Sequence, residues 1–211
     1  MTRAAAIKHG YTAGARGLAS RSVTSLTRTR ITPNALTATG VTLCAAASIL
    51  VLFEGHDKLL FYWLAAVVFV AGSLLDILDG ALARAGGKTT PFGAYLDSTT
   101  DRVSEGFMLT AIAYVLATHH HPVFVAVATA GVAGSFLVSY TRAKAEALGL
   151  RGDVGIGSRA ERVVVITAGL VLAPWGVLPW ALVLLAFTAW LTVGQRVLHV
   201  RKQLMEATHG E

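Results

Sequence analysis

The sequence predicts an all-α integral membrane protein, with six transmembrane helices behind a basic juxtamembrane segment. Three observations carry this reading. Of the 211 residues, 54% are hydrophobic and only 14% are charged, whereas charged residues make up about 25% of an ordinary soluble domain. The mean hydropathy is +0.60. The apolar residues are gathered into long charge-free runs. Six crossings of about 20 residues need about 120 mostly apolar positions, close to what this composition supplies, so no large water-soluble domain fits beside them.

Residues 1–30 hold Arg3, Lys8, Arg16, Arg21, Arg28 and Arg30 and no acid, and glycines 10, 14 and 17 weaken a helix there. No apolar core follows the first charges closely enough for a signal peptide, and the segment reads as a basic stretch on the inner membrane surface. The first span covers Ile31 to Phe53. The second runs from Leu59 to Leu75 and continues past two acids to about Leu82. The charge-free run from Gly106 to Thr141 is too long for one crossing; His119, His120, His121 and Pro122 break it into a hairpin whose first helix begins near Phe92. Pro174 to Pro179 likewise divide the run from Val163 to Gln195, with Trp175 and Trp180 placed where interfacial aromatics sit. Residues 31–203 thus form one six-helix domain, and 204–211 a carboxyl-terminal tail.

The net charge is +6. No basic domain stands apart from the apolar runs, so this charge is not read as a nucleic-acid surface; membrane lipids and cytoplasmic loops account for it. Lys and Arg gather at the amino end, after span two (Arg84, Lys88), after span four and at the carboxyl end, while the outer loops hold only Lys58. This asymmetry places both termini on the cytoplasmic side of the cell membrane. The single cysteine, Cys44, excludes an intrachain disulfide or a cysteine-built metal site and reads as a packing residue. The outer His119–His121 run reads as a loop feature rather than a metal site.

Four aspartates sit at the inner ends of spans two and three: Asp76 and Asp79, then Asp97 and Asp101. Spacings of three and four put each pair on one helical face. Each acid costs roughly 2.5 to 3.5 kcal/mol at a helix centre and less near an end, and four on converging faces also repel one another. Protonation would neutralise them, and Arg84 and Arg102 could pair with two. Two divalent cations would balance all four, with the oxygen ligands that hard ions such as Mg²⁺ prefer. Two ions about 3.5 to 4 Å apart are an established arrangement for phosphoryl transfer. Gly72, Gly80, Ala83 and Gly93 keep the facing surfaces small, for close helix contact or approach of a phosphate. The Gly-Gly-Lys-Thr in the intervening loop lacks the spacing and the flanking strand of a P-loop.

The run Asp76-Ile-Leu-Asp79-Gly80-Ala-Leu-Ala83-Arg84, eight further residues, then Gly93-Ala-Tyr-Leu-Asp97-Ser-Thr-Thr-Asp101 resembles the signature of the CDP-alcohol phosphatidyltransferases, eight fixed positions in twenty-six. The resemblance implies a membrane enzyme, usually a homodimer, whose metal site opens to the cytoplasm. By the same resemblance Asp76, Asp79, Asp97 and Asp101 would hold two Mg²⁺ or Mn²⁺ ions that grip the diphosphate of CDP-diacylglycerol. Asp101 would also take the proton of the acceptor alcohol, and CMP would leave. Gly80, Arg84 and Thr90 match nucleotide or diphosphate contacts. Thr32-Pro33-Asn34-Ala35-Leu36-Thr37 is by itself a helix start with proline in the first turn; it resembles the family's Thr-Pro-Asn opening, and the resemblance implies Asn34, Ala35, Leu36 and Thr37 as candidate donor contacts.

Ser139 to Asp153, with Arg159-Ala-Glu-Arg162, resembles the actinobacterial phosphatidylinositol phosphate synthases of that family. This implies an inositol phosphate acceptor (1D-myo-inositol 3-phosphate), its phosphate held by Arg142, Arg159 and Arg196, although Arg142 stands where Lys is common. Three converging cations suit a dianion. Glycerol 3-phosphate would satisfy them too, giving phosphatidylglycerophosphate. A more distant alternative is a divalent-metal channel or carrier, because intramembrane acids also mark ion paths; the outer halves of spans three to six, however, carry no acids. Lys144, Arg151, Arg201 and Lys202 read as ordinary cytoplasmic-side cations. Arg162 either pairs with Glu161 or stabilises its loop, and Arg196, ending an apolar run beside Gln195, points inward.

Overall fold

The computed structural model describes residues 32–87 and 89–209; the basic segment 1–30 and Lys88 lie outside the described residues. Six α-helices and one 3₁₀ turn, with no strand among the described residues, follow in order: α1 Pro33–Val51, α2 Lys58–Ala85, α3 Pro91–Thr118, α4 Pro122–Ala147, α5 Arg159–Val171, the turn Ala173–Trp175, and α6 Leu178–His209. The breaks between α3 and α4 and between α5 and α6 fall where the histidine run and the prolines predict them. Helix α6 continues unbroken through residues 204–209, which the sequence reading assigns to a tail.

Four of these helices, α1, α2, α4 and α6, are long and apolar enough to cross a membrane. The other two differ for stated reasons. Helix α3 has 28 residues, but Asp97, Asp101, Arg102 and Glu105 interrupt its apolar character between positions 97 and 105. Helix α5 has 13 residues, about 20 Å of rise, against about 30 Å of hydrocarbon.

The described residues form two compact units: those up to Thr42 with those of Ala71–Asp101, and Leu43–Val70 with those from Arg102 onward. In the first unit, Thr32 Oγ1 accepts from the Ala35 N–H at 3.2 Å, with Pro33 opening α1. At the start of α3, Thr90 Oγ1 accepts from the Gly93 N–H at 3.0 Å, with Pro91 following. Each start joins a hydroxyl cap to a proline whose missing N–H costs nothing in the first turn. Between these starts α1 and α2 come into backbone contact. A Cβ on Gly40 would lie 2.9 Å from the Gly72 carbonyl oxygen, so the close approach for which Gly72 is small needs a second glycine opposite.

The second unit holds the apolar core, in which Phe69, Met108, Ile112, Leu170 and Leu185 are almost completely buried. Cys44 is buried among them. Gly134 lets α4 and α6 close on each other: its Cβ would meet Trp190 at 3.2 Å, and the Trp190 indole N–H donates to the Ala130 carbonyl at 3.0 Å. The α3–α4 hairpin turns through His120 at φ 58°, and His119 Nε2 lies 2.7 Å from Glu54 Oε1, so one histidine of the run is engaged by a carboxylate at that end.

Arg162 pairs with Glu105, not with Glu161. Its Nε and one Nη donate to the two Glu105 oxygens at 2.7 and 2.8 Å, and the other Nη donates to the Gly157 carbonyl at 2.7 Å. Both side chains are buried. Glu161 is occupied elsewhere, accepting from the Ser158 N–H at 2.7 Å in a capping box that starts α5. The preceding loop is fastened further by Gly157 N–H donating to Thr192 Oγ1 at 2.8 Å. Gly155, at φ +119°, sits where a Cβ would fall 2.3 Å from Thr192 Cγ2, so only glycine fits. Removing one partner of a buried ion pair costs about 3 to 5 kcal/mol, because the other charge stays buried. Glu105→Gln is therefore expected to lower the thermal unfolding midpoint in detergent markedly, and Glu105→Gln/Arg162→Met to lose less than the sum of its single variants.

Candidate active site

The acid motif folds as its spacing requires: Asp76 and Asp79 lie on the last turns of α2, and Asp97 and Asp101 on the first turns of α3. Carboxylate oxygens of Asp76, Asp97 and Asp101 all lie within 4.8 Å of one another. Asp76 is buried, while Asp97 and Asp101 are partly exposed. Three hard oxygen donors of one sign, gathered at this distance, form a donor set for a divalent cation.

Asp79 stands apart from that trio. It is buried, and one carboxylate oxygen accepts a short hydrogen bond from the Thr37 hydroxyl of α1. The other oxygen, Oδ1, is buried without a hydrogen-bond partner among the described residues. Leaving a buried charged acceptor unsatisfied is costly, and a cation is the kind of group that removes this cost. The donor set therefore fits a divalent ion at the trio and leaves an unused oxygen at Asp79.

A cavity of about 360 Å³ opens beside these acids. Asp79 and Asp97 line it together with Asn34, Thr37, Gly80, Arg84 and Thr90. Ala35 and Leu36 do not: Ala35 gives its N–H to the α1 cap, and Leu36 is buried. Gly80 has a visible steric reason, since a Cβ there would lie 3.3 Å from an Arg84 guanidinium nitrogen. The bare backbone lets Arg84 fold back over the helix. Thr90 serves as the α3 cap as well as a wall of the cavity. Thr32, Pro33 and Thr89 also line it. The contact of Thr37 with Asp79 joins residues 42 apart, beyond the reach of any local sequence pattern.

The three arginines of the acceptor motif lie in the second unit. Arg142 Nε donates to Glu146 Oε1 at 2.8 Å, with both side chains more than half exposed. Arg159 is the first residue of α5. Arg196 is buried and points inward: its Nε donates to the Val154 carbonyl at 2.8 Å, and one Nη donates to the Val138 carbonyl. The charged groups around that guanidinium are of both signs, Arg142 and Arg162 with Asp153 and Glu146.

Comparison with known proteins agrees with this arrangement. The family profile described as CDP-alcohol phosphatidyltransferase matches residues 30–197. The phosphatidylinositol phosphate synthase of Mycolicibacterium smegmatis is 38% identical over 191 residues, covering 86% of this chain and 84% of that one. The archaetidylinositol phosphate synthase of Pyrococcus horikoshii is 35% identical over 175 residues, covering 82% and 86%. Among solved structures, Mycobacterium tuberculosis phosphatidylinositol phosphate synthase with CDP-DAG bound superposes with a TM-score of 0.76 at 30% identity, covering 86% of this chain and 92% of that one. The same enzyme in complex with manganese and citrate gives 0.76 at 31%. Spaced aspartates, the polar cavity beside them and a match along most of the chain lead to one conclusion: this membrane protein is an enzyme of the CDP-alcohol phosphatidyltransferase family.

Proposed function

We propose that the enzyme transfers the phosphatidyl group of CDP-diacylglycerol to an inositol phosphate, 1D-myo-inositol 3-phosphate, releasing CMP. The observation that carries the donor side is the cavity in which Asp79 and Asp97 meet Asn34, Thr37, Gly80, Arg84 and Thr90. The acceptor is supported by the relatives, whose names differ in the lipid part, phosphatidyl or archaetidyl, and share the inositol phosphate part. Three arginines suit a dianionic acceptor better than a neutral one.

Asp76, Asp97 and Asp101 would hold one divalent ion and Asp79 would contribute to a second, Mg²⁺ or Mn²⁺. When bound, such ions offset charge on the diphosphate and on the departing CMP. Arg84 and the hydroxyls of Thr37 and Thr90 orient the diphosphate of the donor. Asp101 accepts the proton of the acceptor hydroxyl as that oxygen attacks the phosphorus bearing diacylglycerol, and the bond from this phosphorus to the oxygen bridging to CMP breaks. Arg142 reaches the acceptor phosphate by giving up Glu146, an exposed pair worth at most about 1 kcal/mol. Arg196 is pre-oriented by its two carbonyl partners.

In the same reading α3, and α5 taken together with the turn Ala173–Trp175 that follows it, complete a six-span domain with the active site and both termini on the cytoplasmic face of the cell membrane. Residues 1–30 form a basic interfacial segment, and the enzyme works as a homodimer.

Asp101→Asn is expected to lower turnover by about 10²- to 10⁴-fold, the usual contribution of a general base, while CDP-diacylglycerol still binds. Undiminished CMP release by this variant would overturn the base assignment. Titration with Mn²⁺, followed by its electron paramagnetic resonance signal, should give two ions per chain, and one for Asp79→Asn. For the acceptor, Arg142→Ala should raise KM for inositol 3-phosphate about tenfold or more, as loss of a charge-assisted hydrogen bond of about 1.5 to 3 kcal/mol implies, with a smaller change in kcat. Faster consumption of glycerol 3-phosphate than of inositol 3-phosphate by the parent enzyme would favour phosphatidylglycerophosphate synthesis instead.

A further inference from the structure

A second cavity, of about 640 Å³, lies between the carboxyl-terminal halves of α4 and α6, within the second unit. It is a trough of exposed apolar side chains: Tyr140 of α4 and Leu148, just past its end, face Val197, Leu204 and Met205 of α6. Its charged groups are all basic, Lys144 and Arg201 with buried Arg196, and no acid lines it. The two exposed cations differ from their neighbours. Arg142 is paired with Glu146, and Lys202 lies 3.7 Å from Glu206. Lys144 and Arg201 have no ion-pair partner among the described residues. An apolar trough with unpaired cations at its rim matches a ligand that is itself part hydrocarbon and part anion.

We propose that this groove is a binding site for one anionic glycerophospholipid, distinct from the donor cavity: an acyl chain lies along Tyr140, Val197 and Val200, and the phosphate sits between Lys144 and Arg201. Depth in the bilayer agrees with this. Helix α6 has 32 residues, about 48 Å of rise, so with about 30 Å of hydrocarbon its last turns stand at headgroup level. Charge selects this occupant over the two others within reach. A second copy docked on the same face about a two-fold axis would bring Lys144 and Arg201 against themselves. The segment 1–30 carries six cations and no acid and would be repelled. The apolar lining separates a lipid from a free phosphate ester, which gains nothing from hydrocarbon contact.

The test uses the full chain in nanodiscs of phosphatidylcholine containing phosphatidylglycerol, with retained lipid counted by native mass spectrometry. The parent protein is expected to retain one phosphatidylglycerol per chain in preference to phosphatidylcholine. Lys144→Ala/Arg201→Ala should weaken retention about thirtyfold, roughly fivefold for each cation near an anionic headgroup. Lys58→Ala/Arg151→Ala, which removes the same charge elsewhere, should change nothing. Val200→Trp, which fills the trough and keeps both cations, should also expel the lipid. Equal retention in parent and double variant would overturn the proposal. So would displacement of the lipid by millimolar inositol 3-phosphate, or a change of oligomeric mass in the double variant with lipid retention unaltered.

Discussion

Carboxylates brought together at the margin of an apolar helix bundle repel one another, and the first unit of this enzyme is arranged around that repulsion. Two unit charges about 4.8 Å apart oppose each other by about 3.5 kcal/mol at an effective dielectric constant of 20, and the trio of Asp76, Asp97 and Asp101 contains three such pairs. A fold that accepts this cost in its resting chain has a use for the resulting field. Hydroxyl caps and prolines set the starts of α1 and α3, and Gly40 and Gly72 let α1 meet α2. Asp79 is steadied by the hydroxyl of Thr37. Each feature holds anionic groups in place.

The second unit solves a different electrostatic problem by a different means. There a buried acid and a buried base are given to each other, Glu105 to Arg162, and the remaining guanidinium edge is spent on a loop carbonyl. Such a pair satisfies itself and needs no ion. Glu105 lies one helical turn beyond Asp101 on α3, yet one carboxylate belongs to a cluster that calls for a cation and the other to a closed pair. The contrast separates carboxylates available for chemistry from one that holds structure.

Cations divide in the same way. Arg162 and Arg196 are buried and tied to backbone carbonyls, Arg142 and Lys202 are exposed and paired along their own helices, and Lys144 and Arg201 rim an apolar groove. Composition alone treats all six as one cytoplasmic-side excess. Burial and pairing distinguish a fastening residue, an exposed side chain paired along its own helix, and two cations with no ion-pair partner among the described residues.

Most of the helical order was legible from the chain itself, because prolines, the histidine run and charge-free stretches are local signals that stop or continue a helix wherever they stand. The acid motif was legible for the same reason: spacings of three and four express the helical period directly, and eight fixed positions marked the family. Nothing local marks Gly40 as the partner of Gly72, Thr37 as the partner of Asp79, or Glu105 rather than Glu161 as the partner of Arg162. Those contacts join residues 32, 42 and 57 positions apart, and which of them form depends on the heights at which helices cross. Local signals in the chain thus specify the helices, their apolar character and the helical faces that carry the acids. Tertiary packing decided which side chains meet across helices, because helical periodicity specifies a face and only the docking of two helices specifies what that face touches.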